Sequence, residues 1–232
     1  MGIGRDMFFG LLEANGLLIR KRKRNKPRTT FSGHRYKKHP DLIKDLTLSR
    51  ADELWVSDIT YIHLPKKSFA YLSLVTDAYS RKIVGFCLHA TLNAQGPLKA
   101  LEMAASVRTT DRPLIHHSDR GIQYCCTAYV DKLTHNGIAI SMTQSGDPRD
   151  NAIAERVNGI LKQELLKHVY PGIRQARQEV TAAIDIYNRL RPHSSIDMMT
   201  PEKAHRQTGY IPRRWKSAAR TAMGYSQRKE VP

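Results

Sequence analysis

Three acidic side chains stand where a carboxylate needs a reason. Asp58 sits inside Leu54-Trp55-Val56-Ser57-Asp58-Ile59-Thr60-Tyr61-Ile62, an apolar run with strand character. An ionised group buried there without a partner is costly. Asp119 ends Leu114-Ile115-His116-His117-Ser118-Asp119, at the C-terminal end of another expected strand, where open α/β sheets place their ligands. Glu155 lies in Asn151-Ala152-Ile153-Ala154-Glu155-Arg156-Val157-Asn158. That segment reads as a helix with Ala154, Val157, Leu161 and Leu165 as its apolar stripe. Glu155, Asn158 and Lys162 then share a different edge, at i, i+3 and i+7. Carboxylates converging from a strand, a strand end and a helix form an oxygen site that suits Mg²⁺ or Mn²⁺ and disfavours zinc. Two such ions about 3.5–4 Å apart can activate an attacking oxygen and stabilise a leaving one in phosphoryl transfer.

The elements that must position these groups can be read from periodicity. Residues 54–62, 69–76 and 83–90 read as strands. Asp77-Ala78-Tyr79-Ser80-Arg81 supplies a turn between the second and third, so an antiparallel meander is expected. A helix over 94–108, a strand over 114–118, a helix over 127–136 ended by Gly137, a strand over 138–142 and the Glu155 helix over 150–167 follow. The order βββαβαβα predicts an α/β fold with a mixed sheet of five strands flanked by helices. Another helix is expected over 174–190. Thr200-Pro201-Glu202 is a helix start with Thr as cap and Pro at the first helical position, and Gly209 can end that helix. Near the start, residues 6–15 read as a short helix with Met7, Phe8, Leu11 and Leu12 on one face, Asp6 as its cap and Gly16 at its end.

Charge points to the partner. Among 232 residues, Lys plus Arg number 38 and Asp plus Glu 21, a net charge of +17. Residues 1–50 carry 13 basic and 4 acidic side chains, residues 51–150 carry 10 of each, and residues 151–232 carry 15 and 7. Two basic arms flank a neutral centre, as expected of a chain that binds a polyanion by releasing condensed counterions. Arg20-Lys21-Arg22-Lys23-Arg24 is the densest run and reads as a linker that tracks nucleic-acid phosphates, with charge alone not separating DNA from RNA; a solvated tether is its bland alternative. No basic amphipathic helix with an aromatic face supports a lipid partner, and no apolar run reaches the ~18 residues of a membrane helix. The start shows no secretory signal pattern. Cys87, Cys125 and Cys126 form neither a disulfide framework nor a Cys-x-x-Cys metal site, so a reducing, intracellular compartment is expected.

Other polar residues have weaker claims. Asp77, Asp131, Asp147 and Asp150 read as turn, surface or cap residues, and Asp111 as solvated. Of His116 and His117, one is expected to pack and one to be exposed, with a role in positioning DNA or the nucleophile as the alternative. His34 and His39 lack the cysteines that would complete a zinc site. Cys125 and Cys126 read as buried fillers. Ser57 and Ser118 lack the partners of a nucleophilic triad. Tyr187, Arg191 and His193, at or past a helix end, either bind DNA or pack the C-terminal segment on the core.

The spacing carries a resemblance. Sixty residues separate Asp58 from Asp119, and 35 separate Asp119 from Glu155. With Trp55–Tyr61, His117-Ser118-Asp119-Arg120-Gly121-Ile122-Gln123-Tyr124, Asp150-Asn151-Ala152, Lys162-Gln163-Glu164 and Tyr187-Asn188-Arg189-Leu190-Arg191-Pro192-His193, the chain resembles the second-reading-frame product of the IS-three family of insertion-sequence transposases, within the retroviral-integrase superfamily. The likeness is strongest over residues 50–205.

That resemblance implies a ribonuclease H-like core over 50–168, preceded by a partial helix-turn-helix and basic run over 1–28 and a linker over 29–49, and followed by a basic helical extension over 169–232. It implies two Mg²⁺ ions, with Mn²⁺ as substitute, on Asp58, Asp119 and Glu155. It implies DNA 3′-end cleavage and strand transfer by direct transesterification, on transposon ends and target, by a homo-oligomer assembled on DNA. An upstream-frame helix-turn-helix partner is also implied. Lys162, Asn158 and Arg191 join the basic run as expected DNA contacts. The alternatives are a structure-specific nuclease of the same fold and a non-catalytic DNA-binding relic.

Overall fold

A computed structural model describes residues 4–17, 33–144 and 151–212. Five strands, β1 (Leu54–His63), β2 (Phe69–Asp77), β3 (Ile83–His89), β4 (Leu114–Ser118) and β5 (Ile138–Met142), form one sheet in the order β3-β2-β1-β4-β5. β1 pairs antiparallel with β2, which pairs antiparallel with β3; β1–β4 and β4–β5 are parallel. The antiparallel half needs only tight turns. The parallel half needs crossovers, supplied by α2 (Gln95–Val107) and by α3 (Ile122–Cys125) with α4 (Thr127–His135). This is the expected mixed five-stranded sheet flanked by helices. The sequence reading did not foresee α3, which is a single turn.

β1 is buried on both faces because both are covered. Its alternation assigns the faces. Trp55 and Ile59 pack with Ala100, Leu101 and Tyr129 of α2 and α4. Leu54 and Val56 pack with Ala154 of α5 (Ala152–Ile160). Ile62 joins a cluster with Leu72, Leu74, Val157 and Leu161. Asp58 has the parity of Leu54, Val56 and Ile62, so it lies on the face that α5 covers. Gly85 lets α2 seat on β3: a Cβ there would stand 2.1 Å from the Ala100 carbonyl oxygen.

Residues 33–49 lie against the core. Met142 N–H donates to Pro40 O (3.1 Å), Leu42 N–H to Ser141 Oγ (2.9 Å), and Ile43 and Leu48 pack beside Leu54 and Val56. Of the residues after 169, those of the next two helices are also built in. Val180, Ala183, Ile184 and Tyr187 of α6 (Ile173–Arg189) share the cluster of Leu72 and Leu74. Thr200 caps α7 (Pro201–Ala204) as its sequence predicts, and Gly209 at φ 88° turns the chain some way beyond that helix. Among the described residues no helix is long and apolar enough to cross a membrane.

Three local expectations are corrected. The Glu155 helix does not run regularly to 167; after Ile160 it widens over Leu161–Leu165, where Leu166 N–H reaches Leu161 O at 2.8 Å, five residues back. The first helix, α1 (Arg5–Ala14), starts on Gly4 without a side-chain cap from Asp6; its Met7, Phe8 and Leu11 are exposed. Asp77 is a turn residue but not a surface one. It is fully buried and accepts from Ser80 N–H (2.7 Å), Ser80 Oγ–H (2.6 Å) and Asp52 N–H (2.8 Å), which offsets the cost of hiding its charge.

Candidate active site

Asp58 and Asp119 arrive together because their strands are parallel neighbours. Val56 pairs with His117, so Asp119, two residues on from His117, leaves its strand at the level where Asp58 stands. Asp58 keeps part of its surface toward solvent but is densely surrounded. Burial, then the charge of Asp119, pushes its carboxyl up to about 7; Glu155 adds a smaller push, and hydrogen bonds from Ile59 N–H (2.8 Å) and Asn158 Nδ2 (2.7 Å) oppose it. Asp119 Oδ1 accepts from Gly121 N–H at 2.9 Å. A Cβ on Gly121 would lie 2.9 Å from that oxygen and 3.1 Å from Gln123 Oε1, so the loop closes this tightly only around glycine.

α5 brings the remaining groups. Asn151, just before it, donates Nδ2 to Ser57 O at 2.9 Å, and Asn158 donates to Asp58 Oδ2. The two asparagines flank Glu155 and tie its helix to β1 beside Asp58. Glu155 itself is exposed and within electrostatic reach of Asp58. Lys162 is half-buried; burial lowers its ammonium, and Asp58 raises it in opposition, which sets the lysine near the same carboxylate. Of the sequence-derived set, Asp58, Asp119, Asn158 and Lys162 are thus gathered, with Glu155 at the edge. Among the described residues no three His, Cys, Asp or Glu side chains are drawn close enough to hold one metal ion.

The donor set still suits a divalent cation. Asp58 and Asp119 offer oxygen only, and a cation between them would relieve the repulsion that raises Asp58. Arg191 is held by Glu164 through Nε (2.6 Å) and Nη2 (2.8 Å), so a DNA contact there would share or replace that carboxylate. Arg20, Lys21, Arg22, Lys23 and Arg24 lie outside the described residues, as do Asp147 and Asp150.

Beneath the carboxylates the polar groups are buried. Both His116 and His117 are fully buried, against the expectation that one would be exposed, because β4 is covered on both faces. His116 Nε2 meets Ser57 Oγ (2.7 Å) and Tyr129 Oη (3.0 Å), and burial lowers its pKa to about 3, so the ring is neutral. His117 Nδ1 meets Ser141 Oγ at 2.8 Å. Cys125 is buried as expected, whereas Cys126 is only partly so. Tyr187 and His193 pack edge to face with centroids 4.8 Å apart, both buried, so both help seat the C-terminal segment on the core, while His193 Nε2 has no hydrogen-bond partner among the described residues. Sequence reasoning assigned no role to Asn151, Gly121 or Tyr124. Each stood in a quoted motif, but only contacts distinguish them. Tyr124 is buried, and burial, then Tyr129, Asp58 and Asp119, raises its phenol.

Comparison with known proteins bears on the family and the fold. The integrase core domain family matches residues 49–148, and a second integrase core domain family matches residues 136–201. A 31 kDa protein of insertion element IS600 from Shigella sonnei is 34% identical over 210 residues, covering 88% of this chain and 76% of that protein. Transposase InsF for insertion sequence IS3A from Escherichia coli K12 is 34% identical over 164 residues, covering 70% of this chain and 57% of that protein. The HTLV-2 integrase catalytic core domain in complex with magnesium superposes with a TM-score of 0.54 at 18% identity, over 68% of this chain and 99% of that one; at that identity the likeness is one of fold.

Proposed function

The chain belongs to the integrase-core transposases of insertion sequences, of the IS-three type, and on that premise we propose that it cuts and joins DNA at Asp58, Asp119 and Glu155. Water attacks the phosphodiester at the element's terminus, the P–O3′ bond breaks, and a 3′-hydroxyl is released. That hydroxyl then attacks a phosphodiester of the target, which expels the target's own 3′-oxygen. No bond to the protein forms. The observation that carries the reading is the pair of neighbouring carboxylates, Asp58 and Asp119, with Asn158 and Lys162 converging on the same Asp58 side chain.

The chain's own groups have separate tasks. Asp58, Asp119 and Glu155 would hold two Mg²⁺ ions, with Mn²⁺ as substitute; bound there, they would supply Lewis-acid stabilisation of the attacking and leaving oxygens. Asn158 keeps the Asp58 carboxylate turned toward α5. Lys162 projects a cation beside that carboxylate for a backbone phosphate, and Arg191 with Arg20–Arg24 extends the phosphate track. Two element ends must meet for joining, which supports a homo-oligomer assembled on DNA; the HTLV-2 integrase core is itself described in a trimeric form. A helix-turn-helix product of the upstream frame remains part of the proposal as the reader of the terminal sequence.

The test uses the full chain with duplexes that carry the element's ends. Mg²⁺-dependent nicking and joined products are expected, and Asp58→Ala, Asp119→Ala and Glu155→Ala should each abolish both while the protein still folds. Near-normal cutting by any of the three would remove that residue from the site. Nicking without joined products would favour a structure-specific nuclease, and salt-sensitive binding with no metal-dependent cutting would favour a DNA-binding relic.

A further inference from the structure

Across α5 from the carboxylates lies a cleft of about 780 Å³ of whose lining the reaction above uses only Arg191. The helix divides the two. Asn158 and Lys162 turn toward Asp58, whereas Ile153, Arg156, Val157 and Ile160 wall the cleft. The facing wall is the chain after α6. Pro192 bars further helix. Asp197 and Met198 then take left-handed backbone, at φ 53° and 59°, and His193 N–H donates to Met199 O at 3.0 Å. The chain therefore doubles back and leaves a hollow.

Its lining has two characters. Val157, Ile160 and Tyr187 are its buried apolar part, and the partly buried Ile153 and the exposed Met198 its more accessible apolar part. Three guanidiniums line the same cleft. Arg191 is oriented by Glu164, and Arg81 by the Ala78 carbonyl and the Ser195 hydroxyl. Arg156 is exposed and has no hydrogen-bond or ion-pair partner among the described residues. His193 lines the same hollow, 6% exposed, and its Nε2 is buried with no hydrogen-bond partner among the described residues. Buried polar atoms normally have partners, so this one points to a ligand atom. Burial and the neighbouring arginines Arg191 and Arg81 hold the ring neutral.

We propose that this cleft receives an unpaired nucleotide of the DNA substrate, with its phosphate on Arg156 and Arg191, its base against Ile153 and Met198, and His193 Nε2 bonded to a base or sugar edge. Duplex backbone would need the charges but would leave the apolar lining unused. An unpaired nucleotide presents phosphate and base face together. The volume falls in the range of sites that enclose one small ligand. The proposal rests on the transposase reading for its substrate and adds a strand-end site outside the carboxylate centre.

The experiment compares the full chain on a blunt duplex and on the same duplex with a single-stranded tail that carries 2-aminopurine at its first unpaired position, in EDTA so that no cutting occurs. The tailed duplex should bind about tenfold more tightly, with a change in 2-aminopurine fluorescence. Arg156→Ala and Met198→Asp should each remove that preference and leave blunt-duplex affinity within about twofold; Asp tolerates the left-handed backbone at 198, and thermal unfolding confirms that both fold. Absence of tail preference in the wild type, or its persistence in both variants, overturns the proposal. So does Arg156-dependent binding of polyglutamate without tail preference, which would assign the cleft to an acidic polypeptide. Asp119→Ala should keep the tail preference, so loss of nicking and loss of the cleft are read separately.

Discussion

Asn158 donates its side-chain N–H to Asp58 Oδ2 across 2.7 Å, and so ties the helix that carries Glu155 to the strand that carries Asp58. The donor is neutral. It orients a carboxylate already crowded by Asp119 without removing the negative charge that a cation would need.

Asn158→Ala should therefore lower DNA cutting while the fold persists. A hydrogen bond to a charged group contributes ~1.5–3 kcal/mol, which corresponds to about 10–100-fold in rate if it is fully expressed in the transition state. Asn158→Asp should do worse, because it puts a third negative charge against Asp58. Single-turnover nicking beside thermal unfolding checks both, and cutting within twofold of wild type in the alanine variant would contradict the role.

Divalent cations should bind the folded chain without DNA. Saturating Mg²⁺ or Mn²⁺ should raise Tm by mass action, equivalent to ~2.7 kcal/mol at a hundredfold excess over Kd. Asp58→Ala and Asp119→Ala should abolish the rise. A Tm in either variant that still climbs as in wild type would place the cation elsewhere.

Gly121→Ala should separate catalysis from stability. Its Cβ would meet Asp119 Oδ1 at 2.9 Å and Gln123 Oε1 at 3.1 Å. Both are side-chain atoms able to move, so the stability cost should stay near ~1 kcal/mol. Asp119 must give way, however, and cutting should fall at least about tenfold. Unchanged cutting would mean that Asp119 has room its loop does not show.

Acid should weaken the fold through buried histidines. His116 and His193 have folded pKa values of about 3 and about 4, below the usual 6.5, because burial disfavours the charged ring. The unfolded chain takes up protons that the folded one refuses. Their contribution is thus complete above about pH 6.5 and is lost as pH falls toward 4 and 3. Asp58, raised to about 7, acts in the opposite sense in metal-free protein, so a difference measurement is needed. His193→Phe should lose less stability than wild type between pH 7 and pH 5, and equal slopes of Tm against pH would refute the assignment.

Much of the fold was legible because it is local. Strand parity, Gly137 at the end of α4 and Thr200 before Pro201 are encoded by residues a few positions apart, and the strands, α4 and the start of α7 formed close to where they were expected, although α7 ends at Ala204, short of the stop expected at Gly209. The widening after Ile160 was not legible, because the apolar stripe reads the same in a regular helix and in one that shifts register. The burial of both His116 and His117 was equally hidden, since it depends on what covers each face of β4.

Sequence by itself determined the order of the strands and of the longer helices, the parity that puts Asp58 with Leu54 and Val56, and the 60- and 35-residue intervals between the acids. Tertiary structure alone decided that α5 covers that face, that Asn151 and Asn158 reach Ser57 and Asp58 over 94 and 100 residues of chain, and that the return after Pro192 leaves a cleft behind the helix. The physical reason is range. Periodicity and capping are short-range preferences written residue by residue, whereas the partner of a polar atom across such distances is chosen by how whole faces pack.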